Sequence, residues 1–525
     1  MTYYLSVNLI HNSSFTIFTE NEILEVVELE RFTNVKNDGV FWGNTYLRKE
    51  IVYSLLKYLK SKYSVLHYDT LFLNQLDLWN IKDKWDIKQD NEILEFFNSN
   101  KFEFCDHQYS HACGAFYQSN LDNATIISFD GGGNDGNFNI YSASKENGVI
   151  LKDKIFSHVL GHRYGWFGHN CSSIKKEKSW PLDGSLIYPG KLMGLSGYGN
   201  VINEWVSDFE EYYTDYPDVL ESKYYILKEK YNWPDVLEGQ LEKDIIATSQ
   251  YVFEKKFNEL TYKYWKDEKN LILTGGCAYN ILNNDNLKQK INVFVPPNPG
   301  DGGLSLGQAL SFIKNPKYKE TAFLGPEVWD KDIIMDYIIE HNGEKYTPKL
   351  IVDELLNGKI IGVVKGKSEL GPRALGNRSI ICYAGYPEMK DILNYKVKNR
   401  EPYRPFAPVC LESQADMFFE LNGGNYSYMN FCPKVKEEYK DKLKSITHID
   451  GTARLQTIDS TSTLYPFIEE INRNENALPV LLNTSFNIGG KPILNTYRDA
   501  IWMLNNTQMD GLILEDYYIK KRQNG

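Results

Sequence analysis

The chain has no uninterrupted run of about 18 apolar residues, the length a helix needs to cross a bilayer. Its first residues, MTYYLSVNLIHNSSF, carry no basic cluster ahead of the apolar stretch. A membrane span and a secretory leader are not expected, and the cytoplasm is the expected compartment. Closely spaced cysteines are missing too. The seven, at 105, 113, 171, 277, 382, 410 and 432, include no C-x-x-C pair, which removes the ordinary thiolate zinc site and points to buried thiols in a reducing compartment. Positive charge is not in excess: 58 Lys and Arg stand against 69 Asp and Glu, for a formal net charge of -11. That argues against a surface coated by nucleic acid, while leaving room for a local basic groove. Low-complexity tracts and internal repeats are absent, so neither a disordered chain nor a solenoid is expected.

What is present is 525 residues with 42% hydrophobic content, enough for roughly two to four domains with proper cores. The opening segment holds two short β-type runs around the polar turn HNSS, which reads as a hairpin. Helical spacing follows at 50–59 and 237–265, where Ile246, Phe253, Phe257 and Leu260 fall on one face. The long helix runs into NLILTGGCAYN, an apolar strand ending in two glycines. VFVPPNPGDGGLSLGQALSFI then gives a strand, a loop and a helix starting near Leu304. This alternation predicts an α/β domain with a mixed sheet. A second α/β unit follows a polar, proline-containing stretch, and the boundary is placed near residue 345, dividing the chain into 1–345 and 346–525.

In ATIISFDGGGNDGNFNIY, Gly131, Gly133 and Gly136 spell G-x-G-x-x-G after an apolar run. A dinucleotide-binding turn must open a helix, whereas NFNIYSAS alternates like a strand. The glycines therefore join two strands, and they let an anion approach the backbone N–H groups while Asp130 and Asp135 hold a metal or water beside it. Upstream, CDHQYSHACGAFYQS sets His107 and His111 four apart on one helical face. Such pairs are common on helix surfaces. Here Asp130 and Asp301 end nearby strands, and two imidazoles with two carboxylates suit a divalent ion.

The order of these pieces resembles the actin-like (ASKHA) nucleotide-binding superfamily, and more narrowly the O-carbamoyltransferases of the nodulation and antibiotic-tailoring type. The matching segments are HNSS (11–14), ERFTNVKNDG (30–39), HQYSHACGAFYQS (107–119), DGGGNDG (130–136), KLMGLSGYG (191–199), LILTGGCAYN (271–280) and PNPGDGGLSLGQAL (297–310). GKSELGPRALGNRSI (366–380), REPYRPFAPV (400–409), DGTARLQT (450–457) and NTSFNIGGKPI (483–493) complete them. The resemblance implies a TsaD-like N-terminal domain and a YrdC-like α/β C-terminal domain. The latter converts carbamoyl phosphate and ATP into carbamoyl-adenylate. The former passes the carbamoyl group to a hydroxyl.

By the same resemblance His107, His111, Asp130 and Asp301 hold the metal, Fe(II) first, with Mn, Zn or Mg as alternatives. His11 is the expected base, with Lys191 and Arg378 as further catalytic candidates. Gly131, Gly132, Gly133, Asn134, Gly275, Gly276, Asn280 and Gly302 are assigned to the nucleotide. Arg373, Arg404, Arg454, Asn483, Ser485 and Asn487 are assigned to the phosphates and the carbamoyl amide, for which guanidinium forks are suited. Lys367 stands where the pattern leads one to expect arginine.

The acceptor stays open. A sugar, natural product or nucleoside is favoured, and 5-hydroxymethylcytosine in DNA is the alternative, with Lys175, Lys176 and Lys178 then meeting phosphates. No membrane partner is expected, and an oligomer is allowed. Threonylcarbamoyl transfer to tRNA, an actin-like sugar or acetate kinase, and a nucleotide-driven chaperone are the rival readings. GPRALGNRS with RPFAPV speaks against the first, the two-histidine site against the second and the arginine cluster against the third.

Overall fold

The computed structural model describes residues 1–42, 46–74, 90–174, 186–214, 220–314, 321–423 and 425–522. Two compact units are present: Met1–Asn283 with Lys290–Leu324, and Asn284–Gln289 with Gly325–Gly525.

The first unit contains two five-stranded sheets of identical design. In one, β1 (Tyr4–Asn8), β2 (Ser14–Phe18) and β3 (Ile23–Glu28) form an antiparallel meander, and β4 (Tyr68–Asn74) and β5 (Ser99–Cys105) add in parallel on the far side of β1, giving the order β3-β2-β1-β4-β5. In the other, β6 (Asn123–Gly133), β7 (Gly136–Ser144) and β8 (Gly148–Lys154) form the meander, and β9 (Asn270–Thr274) and β10 (Asn292–Phe294) add in parallel, giving β8-β7-β6-β9-β10. The repeated third-second-first-fourth-fifth order is the mixed α/β, actin-like architecture that the resemblance implies. Both predicted hairpins are there: HNSS links β1 to β2, and the glycine turn links β6 to β7.

Helix α1 (His107–Gln118) and helix α5 (Leu304–Ile313) cross at a point where both chains lack a side chain. A Cβ on Gly307 would fall 2.0 Å from the Ser110 carbonyl oxygen, and one on Gly114 3.1 Å from the Gly307 Cα. This approach brings the turn carrying Asp301 beside the histidine helix. The long helix α4 (Gly239–Trp265) buries Ile246, Phe253 and Phe257 of the predicted face, while Leu260, near its end, is half-buried. Two shorter helices matter below: α2 (Leu160–Trp166) and α3 (Tyr188–Ser196).

The second unit is built on one eight-stranded mixed sheet. Its strands are β11 (Glu344–Lys345), β12 (Ile361–Val364), β13 (Arg378–Tyr383), β14 (Ala407–Leu411), β15 (Gln456–Ile458), β16 (Leu481–Ser485), β17 (Gly511–Leu514) and β18 (Tyr517–Lys520), in the order β11-β18-β17-β12-β13-β16-β14-β15. Helices α6 (Pro348–Leu356) and α7 (Tyr465–Asn472) lay Ile351, Leu355, Phe467 and Ile471 over Val363, Ile381, Val409 and Ile513.

The division falls at Leu324/Gly325, not near residue 345. The reason is where the intervening backbone finds its hydrogen bonds. Gly325 N–H donates to Ser368 O (3.0 Å) and Trp329 N–H to Asn495 O (3.0 Å), the Asp330 carboxylate accepts from Tyr497 N–H (2.7 Å), and β11 pairs with β18. Residues 284–289 belong with the second unit as well. Asn284 Nδ2 donates to Asn430 O at 3.1 Å and Lys288 Nζ to Asn425 O at 3.3 Å. Among the described residues no helix is long and apolar enough to cross a membrane.

Candidate metal and anion sites

Helix α1 begins at the histidine it presents. Its N-cap, Asp106, makes no capping bond of its own. The orphan N–H groups of the first turn are satisfied from the glycine hairpin: His107 N–H by Asn134 Oδ1 (3.0 Å), and Gln108 and Tyr109 N–H by the two oxygens of Asp135 (2.8 and 3.1 Å). An anionic cap at a helix N-terminus is favoured twice, by hydrogen bonding and by the helix dipole. Asn134 and Asp135 thus lock the hairpin to the helix. Neither is placed to bind the nucleotide or the metal that the sequence reading gave them.

This docking sets Asp130 under both imidazoles. Its Oδ2 lies 2.9 Å from His107 Nε2 and 3.2 Å from His111 Nε2. Asp301 Oδ1 completes the group at 3.7 and 3.4 Å from the same nitrogens. The four donor atoms lie within 4.8 Å of one another, although their residues are spread from 107 to 301. The second oxygen of Asp130 accepts from Gln108 Nε2 (2.7 Å) and Gly132 N–H (2.8 Å), which fixes the carboxylate. The sequence reading missed Gln108; its only signal was adjacency to His107.

Burial opposes charge on His107, but Asp130 and Asp301 outweigh it and lift the imidazole to about 9. Burial likewise raises both carboxyls, and the histidines more than reverse it, holding Asp130 well below and Asp301 below the usual carboxylate range. A pocket that holds positive charge on imidazole so firmly is equally suited to a divalent cation. His111 Nε2 is buried and faces the carboxylate oxygens of Asp130 and Asp301, the position from which it would ligate such an ion. The donor set fits a divalent metal of the borderline class.

His11 sits in the β1–β2 turn with Nε2 3.4 Å from Asp301 Oδ2 and Nδ1 3.2 Å from Asn12 Oδ1, its side chain 29% exposed. Asn8 holds the turn by donating to the carbonyls of His11, Asn12 and Asp301. Gly131, Gly132 and Gly133 are exposed beside the cluster, a Cβ on Gly276 would come within van der Waals distance of Asp130, and Gly302 is buried near Asn298 and Glu28. Gly275, at φ +87°, serves the sheet: a Cβ there would meet Phe129 O at 2.3 Å. Asn280 caps Asn283 N–H and exchanges two amide bonds with Gln250, a structural role in place of the expected nucleotide contact. Lys191, buried on α3, stands outside the four-residue cluster.

In the second unit, burial and then the like charges of Arg373, Arg400 and Arg404 act against the charge on Arg454. Arginine does not shed its proton in proteins, so Arg454 keeps its charge among these guanidinium groups. Arg454 Nε is buried without a hydrogen-bond partner among the described residues, and Glu401 pairs with Arg404 at 3.5 Å. Lys398 is buried nearby in sequence and donates to Ser485 Oγ (3.3 Å), Asn487 O (2.7 Å) and Asn487 Oδ1 (2.5 Å). The sequence reading named Ser485 and Asn487 but missed Lys398 and Arg400, which the K-x-R spacing KNR signals.

Arg378 makes its described hydrogen bonds within the protein, whereas Asn483 does so through its amide nitrogen and leaves Oδ1 buried without a partner among the described residues. Arg378 is fully buried, with Nε on Asn495 Oδ1 (3.1 Å) and its terminal nitrogens on the carbonyls of Lys365, Gly366 and Asn377 (2.9–3.0 Å). These donors brace the 365–378 loop. Asn483 Nδ2 donates to Ala374 O (2.9 Å) and Gln456 Oε1 (2.7 Å), bracing the same loop. Lys175, Lys176 and Lys178 lie outside the described residues.

The pattern described as "Carbamoyltransferase N-terminus" matches residues 59–310, and that described as "Carbamoyltransferase C-terminus" matches residues 352–521. The chain is 30% identical to the nodulation protein NolNO of Sinorhizobium fredii over 98% of its own length and 79% of the relative's. The chain belongs to the carbamoyltransferase family. This carbamoyltransferase is also 32% identical to the nodulation protein NolO of Bradyrhizobium diazoefficiens, over 79% of each chain. Among solved structures it is similar to component A of (R)-2-hydroxyglutaryl-CoA dehydratase from Acidaminococcus fermentans, at 16% identity and a TM-score of 0.35. That alignment covers 60% of the carbamoyltransferase and 98% of the other chain.

Proposed function

We propose that this carbamoyltransferase is ATP-dependent and works in two steps. In the second unit water cleaves carbamoyl phosphate to carbamate and inorganic phosphate, a carbamate oxygen attacks the α-phosphorus of ATP and pyrophosphate leaves, giving carbamoyl-adenylate. The first unit then transfers the carbamoyl group to the hydroxyl of a small acceptor, a sugar, natural product or nucleoside. In the first step the guanidinium groups of Arg373, Arg400, Arg404 and Arg454 hold phosphate oxygens, with Lys398, Ser485 and Asn487 forming a polar wall. In the second step the acceptor oxygen attacks the carbamoyl carbon, the bond from that carbon to the phosphate oxygen breaks, and AMP leaves with the bonding pair. The hydroxyl proton passes to His11.

His107, His111, Asp130 and Asp301 hold a divalent ion, for which we propose Fe(II), and when bound it supplies electrostatic stabilisation of the developing negative charge. The glycine hairpin leaves room for the anionic leaving group beside it.

The observation that carries this reading is the chain of contacts from His11 through Asp301 to His107, His111 and Asp130: a partly exposed imidazole next to a cluster suited to a cation, in a carbamoyltransferase. The test is incubation of the metal-loaded protein with ATP, carbamoyl phosphate and a panel of hydroxyl compounds. The expected product gains about 43 daltons, CONH₂ replacing hydrogen, with one AMP, one pyrophosphate and one orthophosphate released per transfer. Carbamoylated product formed at the same rate without ATP would remove the adenylate from the reaction.

A further inference from the structure

Two successive residues of helix α2 lie against the start of the glycine hairpin. A Cβ on Gly161 would meet the Cys277 sulfur at 2.6 Å and the carbonyl carbon and oxygen of Asp130 at 3.6 Å. A Cβ on Gly131 would meet His162 Nε2 at 2.5 Å and the two ring carbons beside it at 3.1 Å. The tip of the His162 ring therefore rests on the backbone immediately after a proposed metal ligand. The helix beneath it is firmly seated. Leu160, Arg163 and Tyr164 are buried, Tyr212 OH donates to Arg163 O (2.9 Å), and Asn137 Nδ2 holds His158 O just upstream (3.1 Å). His162 itself is exposed, as are Gly131, Gly132 and Gly133.

An exposed imidazole fixed on a buried helix, with Nε2 beside a glycine that carries no side chain, stands where an anion lying along that hairpin would meet it. The Asp130 carboxylate is turned away from such an anion, one oxygen to Gln108 and Gly132 and the other to the two histidines. The group lying along Gly131 thus meets backbone and His162, not that carboxylate. Either the imidazolium or the neutral tautomer with hydrogen on Nε2 can donate there.

We infer that His162 is a leaving-group residue of the transfer step: its Nε2–H donates to the phosphoryl oxygens of carbamoyl-adenylate and of the AMP that departs. The inference rests on the two-step reading above, and complements His11, which takes the acceptor's proton. In the reaction the carbon–oxygen bond to the phosphate breaks and its electron pair goes to AMP, so charge grows on the oxygens His162 faces.

His162→Ala and His162→Gln in the full chain test this. At saturating acceptor, His162→Ala is expected to slow single-turnover AMP release about 10- to 100-fold, the scale of one charge-assisted hydrogen bond. Pyrophosphate release, metal content and the acceptor's KM should stay unchanged. His162→Gln, whose amide can donate, should recover part of the loss. A second readout uses AMP as the probe in an Arg454→Met background, which disables the other anion site; there His162→Ala should weaken AMP binding by a similar factor. An acceptor KM that rises while AMP affinity holds would overturn the inference by putting the ring on the acceptor side. Unchanged rates and AMP affinity would overturn it outright. If the wild-type protein made no adenylate, the two-step reading would fail by itself, and the AMP titration would still decide whether His162 meets phosphate.

Discussion

Nε2 of His11 stands 3.4 Å from Oδ2 of Asp301, whose other oxygen faces both His107 and His111. One carboxylate thus ties the exposed imidazole of the β1–β2 turn to the buried cluster. His11→Ala is expected to lower carbamoyl transfer by about 10²- to 10⁴-fold, the usual contribution of a positioned general base. Acceptor-independent pyrophosphate release should be unaffected. Single-turnover product formation and pyrophosphate release, measured side by side, check the division of labour; equal loss in both would break it.

Arg454 is half-buried, its Nε fully so, and the like charges of Arg373, Arg400 and Arg404 crowd it, a placement that costs the ligand-free fold. Arg454→Met should raise stability of the ligand-free protein by about 1–3 kcal/mol, the range seen when a buried ionic group gives way to an apolar one, while abolishing ATP-dependent pyrophosphate release. Denaturant midpoints with and without pyrophosphate check both halves. Wild type should be stabilised by pyrophosphate through mass action, and the variant should not.

Arg378 gives the opposite sign. All its described hydrogen bonds go to protein oxygens, so Arg378→Met strands buried carbonyls at about 1–3 kcal/mol each. We expect a loss of several kcal/mol in urea unfolding, and no rescue by lysine, which lacks the planar fork. A variant as stable as wild type would free Arg378 for the substrate role first read from sequence.

The contrast between these two arginines marks what the sequence made legible. The metal cluster was readable because H-x-x-x-H fixes two donors on one helix face, and strand ends in an α/β sheet collect acids at one edge. Asn134, Asn280, Asn483 and Arg378 are of the residue types that bind phosphates, and Asp135 of the type that holds a metal, yet each makes hydrogen bonds to backbone or side-chain groups of the protein. The choice between a ligand and an orphan N–H or carbonyl is made by tertiary placement, which spacing does not encode. Lys398 escaped notice because the oxygens it binds lie 87 and 89 residues further along the chain. In the fold, both hairpins were legible from local turn chemistry. The doubled sheet order was not, because β4, β5, β9 and β10 join through parallel crossovers that leave no local mark.

Lys288 makes a pH-dependent prediction. It is buried, its Nζ 3.7 Å from the Phe431 ring centre and 4.0 Å from that of Tyr426, and burial pushes its amine down to about 7 although Asp285 pulls it up. Its folded value lies below the unfolded one near 10.4, so between pH 7 and 10 the unfolded chain binds more protons and this group's contribution to stability rises with pH. Lys288→Met should therefore stabilise the protein at pH 6.5, by about 1–3 kcal/mol, with the gain fading toward pH 10. Urea unfolding of both forms at the two pH values checks it. Loss of stability at pH 6.5 would mean that attraction to the two rings outweighs burial.

Gly133 should be the most sensitive glycine for metal retention. A Cβ there would lie 2.4 Å from the His107 Cβ and 2.5 Å from its Cγ, closer than real Cβ contacts come. His107 cannot yield as a flexible chain end, because its backbone N–H is held by Asn134 and its ring by Asp130. Gly133→Ala must therefore either open the hairpin, losing the Asn134 and Asp135 caps on α1, or swing the imidazole out of the cluster. Both routes remove a donor from the cation site, so metal per chain after loading with Fe(II) or Mn(II) and desalting should fall well below that of wild type. Carbamoyl transfer should fall with it, and acceptor-independent pyrophosphate release should persist. Gly190→Ala is the control, since a Cβ there meets nothing within 4 Å and alanine favours the helix it sits in. It should keep its metal. Full metal content in Gly133→Ala would show that the ion does not depend on His107 in this position, and the four-residue cluster would lose its claim to hold it.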